Sequence, residues 1–304
     1  MHVSSKQPAT RPSQSASDRP SSAPATSDLP PSAQPASSES PERRRARGKA
    51  PTAAAIAAAA VPTLMTALDN LVMTFALPDI ERELGATVTQ LQWFVNAYTL
   101  VLASALLPMA ALGDRFGRRR IFSCGIAVFA AASAACALAP TPQALIVARA
   151  IQGAGGAAIV TLSLALLVDA VPRRLRELAI GVWGGVNGLG IATGPLLGGA
   201  VVSGLHWSVV FWINVPIGAL CLPFVPRFLP RAAAGSKGAD LPGIALGVGF
   251  VFPLTWAVVE GPARGWTDGL TVGGFAVAGT CLALFLFRER SAKAPVMPLS
   301  LFAN

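Results

Sequence analysis

Charge is what this sequence has least of. Only 13% of its 304 residues are Asp, Glu, Lys or Arg, where a soluble domain carries about a quarter, and this excludes an ordinary cytosolic enzyme and most disordered proteins. Histidine is nearly missing too. His2 lies near the start and His206 stands by itself, so neither a His-based catalytic triad nor a histidine metal cluster is available. The four cysteines (Cys124, Cys136, Cys221 and Cys281) form no CxxC pair and fall inside apolar runs, where they read as small apolar side chains rather than disulfide partners or metal ligands. No glycine-rich phosphate loop followed by Lys-Ser/Thr occurs, which argues against nucleotide-driven work. The first 51 residues contain no apolar stretch of signal-peptide type, so the first hydrophobic helix must serve as its own insertion signal.

Apolar residues make up 53% of the chain and are concentrated after residue 51. Residues 1–41 are a low-complexity Ser/Pro/Ala stretch, too polar to bury a core and expected to be a disordered tail. The basic run Arg43-Arg44-Arg45-Ala46-Arg47-Gly48-Lys49 follows it, just before the first apolar segment. A bilayer core ~30 Å thick needs ~20 apolar residues per spanning helix, and eight such segments follow, near 52–77, 91–112, 121–139, 144–168, 179–201, 208–226, 242–259 and 270–287. The expected class is an all-α polytopic membrane protein: a tail over 1–51, a six-helix bundle over 52–226, and two further spans within 227–304. A cytoplasmic N-terminus would put 21 of the 24 cations in cytoplasmic segments, with Arg82 and Arg264 outside and Arg149 within a span. The net charge of +9 is therefore a topology signal, not a nucleic-acid patch. Trp93, Trp207 and Trp266 fall at expected outer ends, where indole favours the headgroup region, although packing explains each as well.

Asp69 and Arg149 are the two charges well inside apolar segments. A charge at the bilayer centre costs at least ~2.5–3.5 kcal/mol, so such residues usually pair or line a cavity and are functional candidates by default. At 1.5 Å per residue, Asp69 lies roughly 12 Å and Arg149 roughly 9 Å from the outer ends of their segments, similar depths at which they can meet. Two readings stand side by side: a structural ion pair holding the first segment to the fourth, and a protonatable Asp69 tuned by Arg149 and water. Asn70, Met73, Thr74, Asn96, Gln152 and Asn187 are candidate cavity residues, each explained nearly as well by packing.

Glycine supplies the next signal. Gly190, Gly194 and Gly198 in the fifth segment are spaced to form a flat stripe on one helix face, and Pro195 permits a kink. Gly153-Ala154-Gly155-Gly156 repeats the theme in the fourth. Between the second and third segments, Gly113-Asp114-Arg115-Phe116-Gly117-Arg118-Arg119-Arg120 reads as a tight reversal in which Asp114 and the arginines make charge-assisted bonds.

These residues carry a resemblance. Gly113 to Arg119 looks like the signature loop of the major facilitator superfamily, Arg149-Ala150-Ile151-Gln152-Gly153-Ala154-Gly155 resembles its helix-4 motif, and Gly190 to Gly199 resembles its helix-5 antiporter motif. Leu68-Asp69-Asn70-Leu71-Val72, Trp93 to Leu100, Phe211 to Gly218 and Pro298 to Phe302 look like the fourteen-helix drug:proton antiporter branch. The resemblance implies a major facilitator fold: an N-terminal six-helix bundle plus two linker helices. It also implies proton-driven export of small hydrophobic or cationic compounds across a bacterial-type plasma membrane, with no cofactor beyond the proton gradient. Carried over residue by residue, Asp69 and Arg149, with Asn70 and Gln152 beside them, are expected to handle protons and substrate. Gly113, Asp114, Arg115, Gly117, Arg118 and Arg119 are expected to gate the cytoplasmic side, and Gly190, Gly194, Pro195, Gly198 and Gly199 to support antiport. The chain stops at Asn304, where a ninth span is expected. The C-terminal half is therefore expected to be absent, and a partner subunit or the remaining sequence to be required. The alternatives are a truncated non-transporting product, a half-transporter, and a facilitator or symporter, the last weakened by the helix-5 match.

Overall fold

The computed structural model describes residues 41–202, 204, 206–231 and 241–291. Those residues are helical apart from short turns: α1 Pro41–Leu84, α2 Val88–Phe116, α3 Arg118–Ala137, α4 Pro142–Ala170, α5 Arg176–Val202, α6 Val209–Trp212, α7 Asn214–Phe228, α8 Leu241–Arg264 and α9 Gly269–Ser291. A 3₁₀ turn at Arg173–Leu175 precedes α5, and α6 and α7 join end to end as one span, Val209–Phe228.

The helix boundaries have local causes. α2 opens on a capping box, with the Gln90 amide N–H donating to Thr87 Oγ1 at 3.3 Å and the Thr87 N–H donating to Gln90 Oε1 at 2.9 Å. α4 opens on Thr141, whose Oγ1 accepts from the Ala144 N–H, with Pro142 preset for the first turn. Gly85, Gly117 and Gly265 end α1, α2 and α8 at φ +61°, +99° and +103°, the region in which glycine avoids the Cβ penalty.

Among the described residues, seven helices are long and apolar enough to cross a membrane. α5 is helical for 27 residues where the fifth segment was expected. α1 begins at Pro41, so the basic run is helical, as suits its Arg, Ala and Lys content. Residues 1–40 and 292–304, which include the Pro298-to-Phe302 motif, lie outside the described residues.

Small residues bring the helices together. A Cβ on Gly153 would lie 2.5 Å from the Tyr98 carbonyl oxygen, and one on Gly155 would lie 2.8 Å from the Phe129 nitrogen, so α4 meets α2 and α3 backbone to backbone. Gly218 meets Ala130, closing α7 onto α3. α8 and α9 pair antiparallel, Gly249 against Cys281 and Gly274 against Ala257, while Gly247 faces Leu107 of α2. Phe122, Ile126, Phe129, Ile159, Leu162 and Val225 form part of one buried cluster, and Met73, Ile80, Phe94, Leu145 and Phe211 part of a second.

Candidate functional site

Five helices converge on the Asp69 carboxylate. Asp69 Oδ2 accepts from Arg149 Nη1 at 2.5 Å, and both side chains are 0% exposed. Asp69 Oδ1 accepts from Gln152 Nε2 and from Asn214 Nδ2, each at 2.7 Å. The same two amide nitrogens donate to Ser133 Oγ at 2.8 and 3.3 Å, while that hydroxyl donates to the Phe129 carbonyl at 2.9 Å. Arg149 Nη1 also donates to Gln152 Oε1 at 2.7 Å, and Nε donates to the Phe94 carbonyl at 3.0 Å. The guanidinium carbon stands 4.4 Å from the Tyr98 ring centre and 5.9 Å from that of Phe211. Turning the Gln152 amide over would set its oxygen against the carboxylate and its nitrogen against the arginine, so the network fixes its orientation.

One atom does not fit this economy. Arg149 Nη2 is buried with no hydrogen-bond partner among the described residues. Burying an unsatisfied donor on a charged group is expensive, and the Tyr98 and Phe211 faces offset part of that cost as cation–π partners.

The expected candidates fall into two groups here. Asp69, Arg149 and Gln152 meet, whereas Asn70 is half-buried and outside the hydrogen-bonded cluster. Met73 is buried in an apolar cluster and Thr74 is exposed. Asn187 donates to Thr63 Oγ1 at 3.2 Å, tying α5 to α1. Asn214 and Ser133, which the sequence did not single out as site residues, complete the cradle. The available signal was the Phe211-to-Gly218 motif that contains Asn214.

The antiporter-type motif lies behind this cluster. Gly190, Gly194 and Gly198 face Leu64, Leu71 and Phe75 of α1 in the same chain direction, so α1 and α5 run parallel in close contact. Leu71 and Asp69 are two residues apart, roughly 200° around the helix. The stripe thus supports the face of α1 opposite the carboxylate. Pro195 and Gly199 are exposed and do not join this contact.

The expected gating loop is mostly not a loop. Gly113, Asp114, Arg115 and Phe116 form the last turn of α2, Arg118 and Arg119 the first turn of α3, and Gly117 is the single non-helical residue between. Arg118 bridges Asp114 at 2.9 Å and Asp169 of α4 at 3.4 Å. Arg119 Nη1 donates to the carbonyls of Pro226 and Leu229 at 2.9 and 3.2 Å, closing the end of α7. Arg115 lies over the Phe116 ring, and Gly113 is buried against Leu162. At the opposite end, Trp207 Nε1 donates to Glu83 Oε2 at 2.7 Å and His206 contacts the same carboxylate.

Helices of membrane-spanning length packed around a buried ion pair define a multi-pass membrane protein. The chain matches the Major Facilitator Superfamily over residues 59–288 and belongs to it. It is 41% identical to the tetracenomycin C resistance and export protein of Streptomyces glaucescens, over 81% of this chain and 46% of that one. It is 37% identical to the methylenomycin A resistance protein of Streptomyces coelicolor, over 84% and 54%. It is 38% identical to the multidrug efflux pump LfrA of Mycolicibacterium smegmatis, over 82% and 49%. The chain thus spans about half the length of these curated relatives. Its backbone matches the POT family transporter PepTSo with a TM-score of 0.56 at 15% identity, over 81% of this chain and 56% of that one, a likeness of fold.

Proposed function

We propose that the chain is the N-terminal portion of a proton-coupled exporter of small hydrophobic or cationic compounds, of the fourteen-helix branch, with its N-terminus in the cytoplasm. The observation that carries this reading is the fully buried Asp69–Arg149 pair with one guanidinium nitrogen left unsatisfied. A pair serving stability alone gains nothing from an orphaned donor, whereas a site that changes partners during a cycle has reason to keep one. Export is supported by the relatives' printed roles in drug resistance and efflux. In this reading Asp69 exchanges protons, with Arg149 and Gln152 as its partners and Asn70 beside them. The turn at Gly117, with Asp114, Arg115, Arg118 and Arg119, gates the cytoplasmic side, and α8 and α9 are the linking helices. Antiport follows if protonation and substrate binding favour opposite-facing states.

The test is transport in proteoliposomes carrying the complete reading frame. Asp69→Asn is expected to abolish export driven by a pH gradient, and unchanged export would sink the coupling role. Two other readings have support of their own. Full satisfaction of both Asp69 oxygens favours a structural pair, in which case Asp69→Asn lowers stability and leaves the gradient dependence intact. The half-length match to the relatives favours a half that works with a second half or a non-transporting fragment, and sequencing beyond Asn304 separates these.

A further inference from the structure

The cradle around Asp69 is built entirely of donors. Arg149 Nη1 serves one carboxylate oxygen, and Gln152 Nε2 and Asn214 Nδ2 serve the other. None of these three nitrogens accepts a hydrogen bond. A proton arriving on Asp69 would therefore create an O–H with no acceptor in the arrangement described, and at least one donor must turn or leave.

The three donors are not equally free to do so. Arg149 has no acceptor atom to present. Gln152 is held at both ends, its nitrogen by Asp69 and Ser133 and its oxygen by Arg149 Nη1 at 2.7 Å and the Cys136 thiol at 3.7 Å. Among the described residues, Asn214 bonds only through Nδ2, to Asp69 at 2.7 Å and to Ser133 at 3.3 Å. A half-turn of its amide would present Oδ1 to a protonated Asp69 while the carboxyl stays in place. Asn214 is also the first residue of α7, so its amide reports Asp69 to the sixth span. The titratable groups facing Asp69 are Arg149 from α4, Tyr98 from α2 and Cys136 from α3. α7 contributes the Asn214 amide, and α5 sets its glycine stripe on the far face of α1.

We propose that Asn214 is a positioning residue for Asp69, donating to the carboxylate and turning to accept from the acid, so that the protonation state of α1 is tied to the start of α7. The functional weight of this assignment rests on the proton-coupling reading above. The cradle itself does not.

The experiment uses the complete reading frame in liposomes with two variants, Asn214→Ala and Asn214→Leu, the second keeping the branched outline of the native side chain without its polar atoms. One readout is modification of Asp69 by a hydrophobic carbodiimide, which attacks the protonated carboxyl; it is located by mass spectrometry and corrected with Asp69→Asn. The other is the pH profile of gradient-driven export. Both variants are expected to raise Asp69 modification several-fold at neutral pH and to displace the export profile along the pH axis. Modification and profile matching the parent in the folded variants would overturn the proposal, since a merely structural Asn214 lowers yield without moving either readout. If Asn214→Ala does not fold, Asn214→Leu decides by the same criteria. Should Asp69→Asn leave gradient-driven export intact, the coupling reading fails, while the carbodiimide result still decides whether Asn214 positions the carboxyl.

Discussion

Burying Arg149 takes a guanidinium out of water at a cost of several kcal/mol, and the cluster offsets this through Asp69, Gln152, the Phe94 carbonyl and the Tyr98 ring. Removing one member of such a pair leaves the other buried and uncompensated. Arg149→Leu is therefore expected to destabilise the bundle by about 3–5 kcal/mol, and Asp69→Leu combined with Arg149→Leu to cost less than Arg149→Leu alone. Denaturant titration in mixed micelles measures both; a double variant as damaged as the sum of its parts would contradict the pairing. Asp69 and Arg149 were legible in the sequence because charge inside an apolar run is expensive enough to be conspicuous. Asn214 and Ser133 were not, because uncharged polar residues are ordinary in spanning helices and no single-helix pattern says which face will meet a carboxylate on another. Asn70 adjoins Asp69 in the chain yet makes no bond to the cluster, since one residue turns about 100° around a helix.

Between elements, glycine decides how closely helices approach, and its positions are unequal. A Cβ on Gly153 would strike the Tyr98 carbonyl oxygen at 2.5 Å, a backbone atom unable to move without α2, whereas one on Gly185 meets nothing within 4 Å. Gly153→Ala is expected to destabilise by about 1–3 kcal/mol through overpacking. Gly185→Ala should be neutral or slightly stabilising, since alanine is the better helix former. Thermal unfolding in detergent separates them, and equal effects would mean that the α2–α4 contact is looser than described. The turn at Gly117 makes a different prediction. Its Arg118 bridges are exposed, and such pairs contribute about 0–1 kcal/mol. Arg118→Ala should thus leave unfolding almost unchanged while slowing export if the bridge to Asp169 gates the transporter; export at the parent rate would remove the gating role. Segment patterning placed the helices but missed their ends, which are set by short-range devices such as the Thr87–Gln90 box and Gly117. The fifth segment was expected to be a span like the others. As α5 it also presents a glycine stripe to α1.

Across the whole molecule, contacts gather the cation clusters at one end. Arg118 reaches Asp169 at the end of α4, and Arg119 closes the end of α7, so the arginines of the α2–α3 turn, the α4–α5 turn and the α7 terminus share a side of the bundle. Glu83, His206 and Trp207 join at the other side. That alternation was legible from charge alone, because eight short-looped segments leave each cluster only one of two sides to occupy. Which side faces the cytoplasm is a separate matter, decided by the preference of Lys and Arg for cytoplasmic loops. Exposed positions at the two ends permit a direct measurement. With Cys124 and Cys281 replaced by serine and the buried Cys136 and Cys221 kept, single cysteines are introduced as Gln143→Cys at the start of α4 and Arg174→Cys in the α4–α5 turn, both exposed. In intact cells a membrane-impermeant maleimide is expected to label Gln143→Cys, and to label Arg174→Cys only after permeabilisation. The reverse pattern would invert the bundle and place the Arg118 bridges outside, where they could not serve as a cytoplasmic gate. Equal labelling of both would mean a mixed population, and the cation asymmetry would then have failed to fix orientation at all.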